Sequence, residues 1–152
     1  IVGACSRNWQ ITENENSAVW ILIHRHGLKD LLPSLGNIAL QWECIGPSIQ
    51  GNPLGLDNIE LRLFNIYDIK EQEYVGYDAL CEFANVLKLP LAEVDREGVY
   101  SDPADDDLRD WAKGTYPNGK PREGVVVRPK KPMRVGSQRL SFKIINLDYK
   151  EA

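Results

Sequence analysis

The chain has 152 residues, of which 43% are hydrophobic and 26% are charged, and its formal net charge is −4. A chain of this length can bury a core of its own, so we expect a single globular domain. Glycine and proline content is average, and no uncharged apolar stretch reaches 18 residues. These features exclude disordered, collagen-like and membrane-spanning chains.

Hydrophobic periodicity predicts one helix and two strands in the first half of the chain. Residues 17–32 follow the capping residues Asn16 and Ser17 and place apolar side chains near helical spacing. Residues 38–45 and 59–69 are short and rich in β-branched and aromatic side chains. The turn-forming sequence GPSIQGNPLG lies between them, so we expect two strands joined by a long loop.

The second half predicts two helices followed by two strands. Residues 76–88 recover helical spacing, and residues 103–113 open with acidic side chains that suit a helix N-terminus. Residues 124–128 and 139–145 have the composition of strands and are joined by a basic, proline-containing turn. Helices interleaved with hairpin-like strands predict an α+β fold, mainly antiparallel sheets flanked by helices.

Charge is distributed unevenly along the chain. Residues 91–110 hold eight acids and two bases, whereas residues 120–143 hold eight bases against Glu123 alone. Such a basic segment is usually a solvated face, and it is also the footprint of a polyanion-binding surface. Charge alone leaves both interpretations open.

Cysteine and histidine content bears on compartment and metal binding. Three cysteines, Cys5, Cys44 and Cys81, are spaced too widely for a zinc site and are odd in number, so we expect a reducing intracellular compartment, cytoplasmic or nuclear. His24 and His26 point to nearly opposite faces of the predicted helix, so we do not expect them to share a metal. The start at Ile1, without Met or signal peptide, predicts a fragment.

Three charged residues lie inside otherwise apolar strand patterns: Glu43 in QWECIG, Glu123 in REGVVVRP and Lys143 in LSFKIIN. Charged side chains are seldom buried unless they are paired, so each is expected on a solvated sheet face or in a salt bridge. Taken together, two carboxylates and a lysine beside a basic segment favour a second interpretation. They can line a cleft for a nucleoside phosphate and its metal ion.

Five segments, in order, resemble the nucleotidyltransferase (adenylation) domain of ATP-dependent RNA ligases, in the covalent nucleotidyltransferase superfamily that includes DNA ligases and mRNA capping enzymes. Their similarity is to motifs Ia, III, IIIa, IV and V, and they are Ser6-Arg7-Asn8, LQWECIGPSIQGNPLG (40–55), LFNIYDI (63–69), EGVVVRP (123–129) and SFKIIN (141–146). Five segments in family order are far more specific than one. The resemblance implies that residues 1–152 are such a domain, truncated at its N-terminal side.

The resemblance implies a role for each matched residue. Glu43 accepts a hydrogen bond from an ATP ribose hydroxyl, Arg7 contacts the same sugar or a phosphate, and Phe64 stacks on the adenine. Glu123 helps to hold a hydrated Mg²⁺ or Mn²⁺ ion, and Lys143 neutralises the α-phosphate. For Phe64, ordinary core packing is the alternative.

The basic turn is expected to meet phosphates of ATP or RNA through Arg128, Lys130 and Lys131. The implied partners are therefore ATP and RNA ends, with no membrane, and the implied setting is RNA repair. Oligomeric state is not readable from the sequence.

The family's nucleophile is a lysine in a KxDG-type motif just upstream of motif Ia, and no lysine of this chain has that context. We therefore expect the nucleophile before Ile1, and with it the OB domain that one branch of the family carries. Ile145 also stands where some RNA ligases have a second motif V lysine. The intact parent is expected to be the enzyme and this fragment alone to be inactive.

Two alternatives stay open. A related nucleotidyltransferase acting on DNA ends or on a cap guanylate has the same motifs. A non-catalytic nucleic-acid-binding module that keeps the ligase-like shell without its lysine fits the residues as well.

Overall fold

The computed structural model of the chain describes residues 1–100 and 105–149. Within these ranges the helices are α1 (Ala18–Arg25), α2 (Leu28–Leu31), α3 (Tyr77–Leu87) and α4 (Asp105–Ala112), with a 3₁₀ helix over Leu32–Leu35. The strands are β1 (Ile38–Ile45), β2 (Glu60–Asp68), β3 (Glu73–Tyr74), β4 (Gly124–Val127), β5 (Arg134–Val135), β6 (Gln138–Arg139) and β7 (Phe142–Ile145).

The strands form three small sheets. The first has the order β1-β2-β3, β4 pairs with β7, and β5 pairs with β6, and these pairings are antiparallel. Helix α3 packs against β2, and α4 packs against β4 and β7. The predicted α+β fold with mainly antiparallel sheets is confirmed.

The prediction of one continuous helix over residues 17–32 is wrong. Helix α1 ends at Arg25, and Gly27 adopts a left-handed conformation with φ of +63° before the short α2 begins. A left-handed residue interrupts the helical backbone, and glycine adopts it at no steric cost. Pro33 then lies in the first turn of the 3₁₀ helix, where its missing N–H needs no partner. Of the predicted helix 103–113, residues 103 and 104 lie outside the described residues.

The hydrophobic core is built by the first ninety residues. Side chains of α1, α2, β2 and α3 form one buried cluster whose largest fully buried members are Leu22, Leu28, Leu61 and Leu63. Full burial of each such side chain stabilises the fold by roughly 1.5–3 kcal/mol. No residue of β4, β5, β6 or β7 belongs to this cluster.

A β-bulge interrupts the pairing of β1 with β2. Gln41 pairs with Asn65 and Trp42 pairs with Leu63, so Phe64 is an extra residue without a partner on β1. An extra residue bends the strand and shifts its alternation. Leu63 therefore faces the core, whereas Asn65 lies on the opposite face, level with Gln41.

Hydrogen bonds fix the start of strand β4. Asn146, just after β7, donates its backbone N–H to Glu123 O (2.9 Å) and its side-chain N–H to Arg122 O (2.9 Å). Arg122 in turn donates to the carbonyls of Trp111 and Ala112 at the end of α4. These bonds fix the start of β4 against the helix.

Among residues 1–100 and 105–149, no helix combines the length and apolarity needed to cross a bilayer.

Candidate functional site

One face of the first sheet carries polar side chains at positions two residues apart. Gln41 and Glu43 are two residues apart on β1, so their side chains lie on the same face of the sheet. Asn65 and Arg62 are their respective partners on β2. Arg62 is bound to Glu60 at 2.8 Å. The Glu43 side chain, by contrast, is exposed and makes no hydrogen bond or ion pair within the described part of the chain. Its carboxylate can therefore accept hydrogen bonds from a ligand.

Arg128, the first residue after β4, reaches across to the bulge in β2. Its Nη1 donates to Phe64 O at 3.0 Å and to Asn65 Oδ1 at 2.9 Å. The guanidinium carbon lies 5.5 Å from the centroid of the Phe64 ring, within cation–π range. Arg128 therefore ties the second sheet to the first at the residue predicted to stack on adenine.

Burial lowers the pKa of Arg128, and the nearby positive charge of Arg139 lowers it further, while Tyr74 and Glu43 act in the opposite direction. The Nε of Arg128 is buried and has no hydrogen-bond partner among the described residues. A buried donor left without a partner costs about 1–3 kcal/mol. An anion or an acceptor bound beside Arg128 would offset this cost.

Asn65 is the centre of a polar network that the sequence analysis did not identify. It is only 7% exposed, its Oδ1 accepts from Arg128 and from Arg139 (3.0 Å), and its Nδ2 donates to Gln41 Oε1 at 2.8 Å. Arg139 lies 3.8 Å from the centroid of the Tyr74 ring. The signal available in the sequence was that Gln41 and Asn65 are polar residues inside apolar strands, as Glu43 is.

The second group of predicted residues lies on the sheet of β4 and β7. Lys143 is opposite Val126 in the register and forms an ion pair with Glu123. Both side chains are about half exposed. Gly124, the first residue of β4, follows Glu123 directly: its φ is +141°, and a Cβ there would clash with the carbonyl oxygen of Ile144. The salt bridge expected of paired strand charges is thus present, on a solvent-accessible sheet.

The two groups meet along strand β4. Val126, the partner of Lys143, is two residues before Arg128, and a strand rises roughly 3.3 Å per residue. Lys143 therefore lies about 7 Å along β4 from Arg128. Glu43 and Phe64 cluster around Arg128, and the Glu123–Lys143 pair continues along the same strand.

Arg7 stands apart from these residues. Ser6 holds a tight turn by accepting backbone N–H groups of Asn8 (3.4 Å) and Trp9 (3.2 Å), which leaves Arg7 exposed at the tip. Within residues 1–100 and 105–149, Arg7 makes no hydrogen bond or ion pair. The structure does not bring it into contact with Glu43 or Phe64.

The two lysines of the basic turn differ from each other. Lys130 is bound to Glu97 at 2.7 Å, and its ammonium lies 5.5 Å from the centroid of the Tyr77 ring. The Glu97 carboxylate raises the pKa of Lys130. Lys131 is exposed and makes no such contact with any described residue.

Metal binding by protein ligands alone does not fit the described residues, because they contain no group of three His, Cys, Asp or Glu side chains that could hold an ion. One carboxylate, Glu123, lies beside Lys143. Mg²⁺ commonly retains several waters and is held by one or two carboxylates together with substrate phosphates. The donor set therefore fits only a hydrated ion shared with a bound phosphate.

The chain belongs to the RNA ligase family, whose match covers residues 1–145. The resemblance drawn from the five motifs is therefore confirmed, and the fold is that of an RNA ligase nucleotidyltransferase domain. No curated protein gives a significant match.

Solved structures of an RNA ligase from Naegleria gruberi are similar to this chain. The structure with PPi has 28% identity and a TM-score of 0.78. A point variant with ATP and Mn has 28% identity and a TM-score of 0.80, and another with AMP and Mn has 30% identity and a TM-score of 0.79. Each match covers 95% of this chain but 43% of the Naegleria ligase. The chain thus spans less than half the length of that ligase.

Proposed function

We propose that this chain is the ATP-binding part of an ATP-dependent RNA ligase, which joins RNA 5′-phosphate and 3′-hydroxyl ends through lysyl-AMP and RNA-adenylate intermediates. The observation that carries the proposal is the contact of Arg128 with Phe64 and Asn65, because it joins motif IV to motif IIIa beside Glu43. The ATP, AMP and PPi bound to the Naegleria enzyme are the substrate and products expected of such an adenylation.

The adenosine is held by groups around the bulge. Phe64 stacks on the adenine with the ring face that Arg128 leaves open, a contact worth on the order of 1–3 kcal/mol. Glu43, whose carboxylate has no partner within the described residues, accepts a hydrogen bond from a ribose hydroxyl. Arg7 contacts the sugar or a phosphate from the tip of its turn.

The phosphates lie toward the Glu123–Lys143 pair. A lysine Nζ attacks the α-phosphorus of ATP, an N–P bond forms, and the P–O bond to pyrophosphate breaks. AMP then passes from the lysine to an RNA 5′-phosphate, and a 3′-hydroxyl displaces it. Lys143 stabilises the charge that develops on the α-phosphate oxygens. No lysine of this chain has the KxDG context, so the attacking lysine belongs to a longer protein that contains the chain.

Glu123 would help to hold a hydrated Mg²⁺ or Mn²⁺ ion, which would supply additional positive charge near the transferring phosphoryl group. Release of Glu123 from Lys143 on nucleotide binding frees the carboxylate for the ion and the ammonium for the phosphate.

RNA contacts are assigned to the basic turn. Arg128 contributes charge near the phosphates but is anchored by Phe64 and Asn65. Lys131 is exposed and available, whereas Lys130 must leave Glu97 to reach RNA.

Calorimetric titration of the chain with ATP and Mn²⁺ tests the nucleotide site. Glu43→Ala and Phe64→Ala should each weaken ATP binding about tenfold, as expected for the loss of a charge-assisted hydrogen bond or a stacking contact. Glu15→Ala, an exposed carboxylate outside the site, is the matched control. Tighter binding of GTP than of ATP would favour a capping-type nucleotidyltransferase, and no nucleotide binding would favour the non-catalytic module.

The metal and phosphate roles have separate tests. Glu123→Ala should weaken ATP binding more at limiting than at saturating Mn²⁺, and Lys143→Ala should weaken it at both, with Lys70→Ala as the control. Equal loss at all metal concentrations for Glu123→Ala contradicts the metal assignment. Incubation with radioactive ATP should leave the chain alone unlabelled, and covalent label that is stable to alkali and lost in acid, as expected for an N–P bond, would place the nucleophile within these 152 residues.

A further inference from the structure

The strands β5 and β6 form an exposed hairpin next to β3. All eight residues from 131 to 138 are exposed, and Gly136 occupies the turn with a φ of +61°. The two strands pair with each other and with no other strand of the described chain. The hairpin is therefore a surface element rather than part of the core.

The base of this hairpin is held in place on both sides. Leu140 donates its N–H to Met133 O at 2.8 Å, which closes the hairpin at its base. Just before the hairpin, the carbonyl oxygen of Lys130 accepts a hydrogen bond from the backbone N–H of Tyr77 at 2.7 Å. On the other side, Arg139 lies over the Tyr74 ring and donates to Asn65. The hairpin thus has a defined position next to the Asn65 network.

The exposed surface of the hairpin combines positive charge with apolar side chains. The side chains of Lys131 and Arg134 make no hydrogen bond or ion pair with any residue in the described ranges. Met133 and Val135, which neighbour Arg134 in sequence, are 54% and 67% exposed. No acidic residue occurs between Gly124 and Leu147, although the whole chain has a net charge of −4. Such a surface is complementary to a polyanion that also offers apolar groups.

We propose that the β5–β6 hairpin binds the RNA strand next to the end that is joined, with Lys131 and Arg134 on its phosphates and Met133 and Val135 against sugars or bases. This inference rests on the proposed function. Arg139 at the hairpin base and Arg128 in the nucleotide cluster donate to the same atom, Asn65 Oδ1. An RNA end positioned at the nucleotide site would therefore have its adjoining nucleotides beside the hairpin. A positively charged surface that follows the phosphate backbone is a common feature of proteins that bind single strands.

Fluorescence anisotropy with a short single-stranded RNA carrying a 5′-phosphate tests this assignment on the chain. The double variant Lys131→Ala/Arg134→Ala should weaken binding about tenfold at low salt. It should also reduce the slope of log affinity against log salt by about 1.4, as expected for two lost phosphate contacts on a single strand. Met133→Ser/Val135→Ser should weaken binding without changing that slope. Lys70→Ala, an exposed lysine outside the hairpin, is the control.

Four further measurements decide the outcome. ATP affinity and thermal melting of the hairpin variants should match those of the unmodified chain, since the substituted side chains are exposed, and Lys131→Arg/Arg134→Lys should retain RNA binding. Normal ATP binding with RNA binding unaffected by the double alanine variant overturns the hairpin assignment alone. Absence of ATP binding by the unmodified chain contradicts the proposed function instead. Equal binding of an oligo-glutamate peptide, weakened by the same substitutions, would identify an acidic protein as the partner and overturn the RNA assignment.

Discussion

The sheet of β1, β2 and β3 and the sheet of β4 and β7 differ most in how deeply their apolar side chains are buried. In the first sheet, Leu61, Leu63 and Ile66 are at most 2% exposed beneath α1 and α3. In the second, Val126 and Ile145 are 50% and 59% exposed, and neither strand contributes to the core cluster. Two-stranded pairs of this kind are marginally stable by themselves.

The two sheets therefore have different roles: the buried sheet contributes to the core, and the exposed sheet carries the charged pair of the proposed site. The well-buried sheet supplies a rigid platform for Glu43 and Phe64, whereas the exposed sheet carries the Glu123–Lys143 pair. Regions with few buried apolar contacts open at lower free energy than the core. The phosphate end of the proposed site therefore lies in the region expected to open first, and Arg128 is the side chain that connects it to the platform.

The largest expected effect is a substitution in the core of the first sheet. Leu63→Ala removes a side chain that is 1% exposed and leaves a cavity among residues that cannot fully collapse, so the free energy of unfolding should fall by about 3 kcal/mol. Urea denaturation measures this change. Val126→Ala on the second sheet should cost less than about 1 kcal/mol, because half of that side chain is already exposed. Similar losses of unfolding free energy for Leu63→Ala and Val126→Ala would contradict the proposed difference in burial between the two sheets.

A smaller effect, confined to the second sheet, is expected from Gly124→Ala. The φ of +141° is unfavourable for alanine and the added Cβ meets the Ile144 backbone, so β4 and β7 should separate with a loss of about 2 kcal/mol. Hydrogen exchange should show faster exchange of the β4 and β7 amides, with the β1 and β2 amides unchanged. Uniformly faster exchange in both sheets would mean that they unfold as one unit.

The smallest effect concerns the stability of the first region, where His26 lies, between pH 7 and 5. Burial lowers the pKa of His26 from its ordinary value of 6.5, and Arg25 adds to the shift. Below pH 6.5 the unfolded chain therefore binds a proton more readily than the folded chain, and stability should fall as the pH is lowered through this range. His26→Gln should flatten the decline measured by urea denaturation between pH 7 and 5. An unchanged pH dependence in that variant assigns the decline to other groups.

Much of the fold was predictable because its periodic segments are strong. Strand β1 covers the predicted residues 38–45, and the predicted 59–69 contains β2 with one residue trimmed at each end. The break at Gly27 was missed because apolar spacing continues through it, and the β5–β6 hairpin was missed because its strands have two residues each. Neither the helix break nor the short hairpin is marked by the hydrophobic periodicity of the sequence.

The candidate site was predictable where charge stands out in an apolar strand. Glu43, Glu123 and Lys143 were predicted as site residues on that basis, and in the structure Glu123 and Lys143 form an ion pair with each other. The Asn65 network was missed because it depends on Arg128 and Arg139 returning to β2 from more than sixty residues away. Pairing at that distance along the chain is not encoded in any local pattern.

The bulge at Phe64 has a consequence for how this site can change over evolution. Phe64 lies outside the residue-by-residue pairing of β1 with β2, and its carbonyl oxygen is bound by Arg128. Its side chain can therefore be exchanged for another ring, or for a smaller group, with little penalty in strand pairing. A single substitution at Phe64 can thus change the side chain presented at the proposed nucleotide site, while β1 and β2 keep their register.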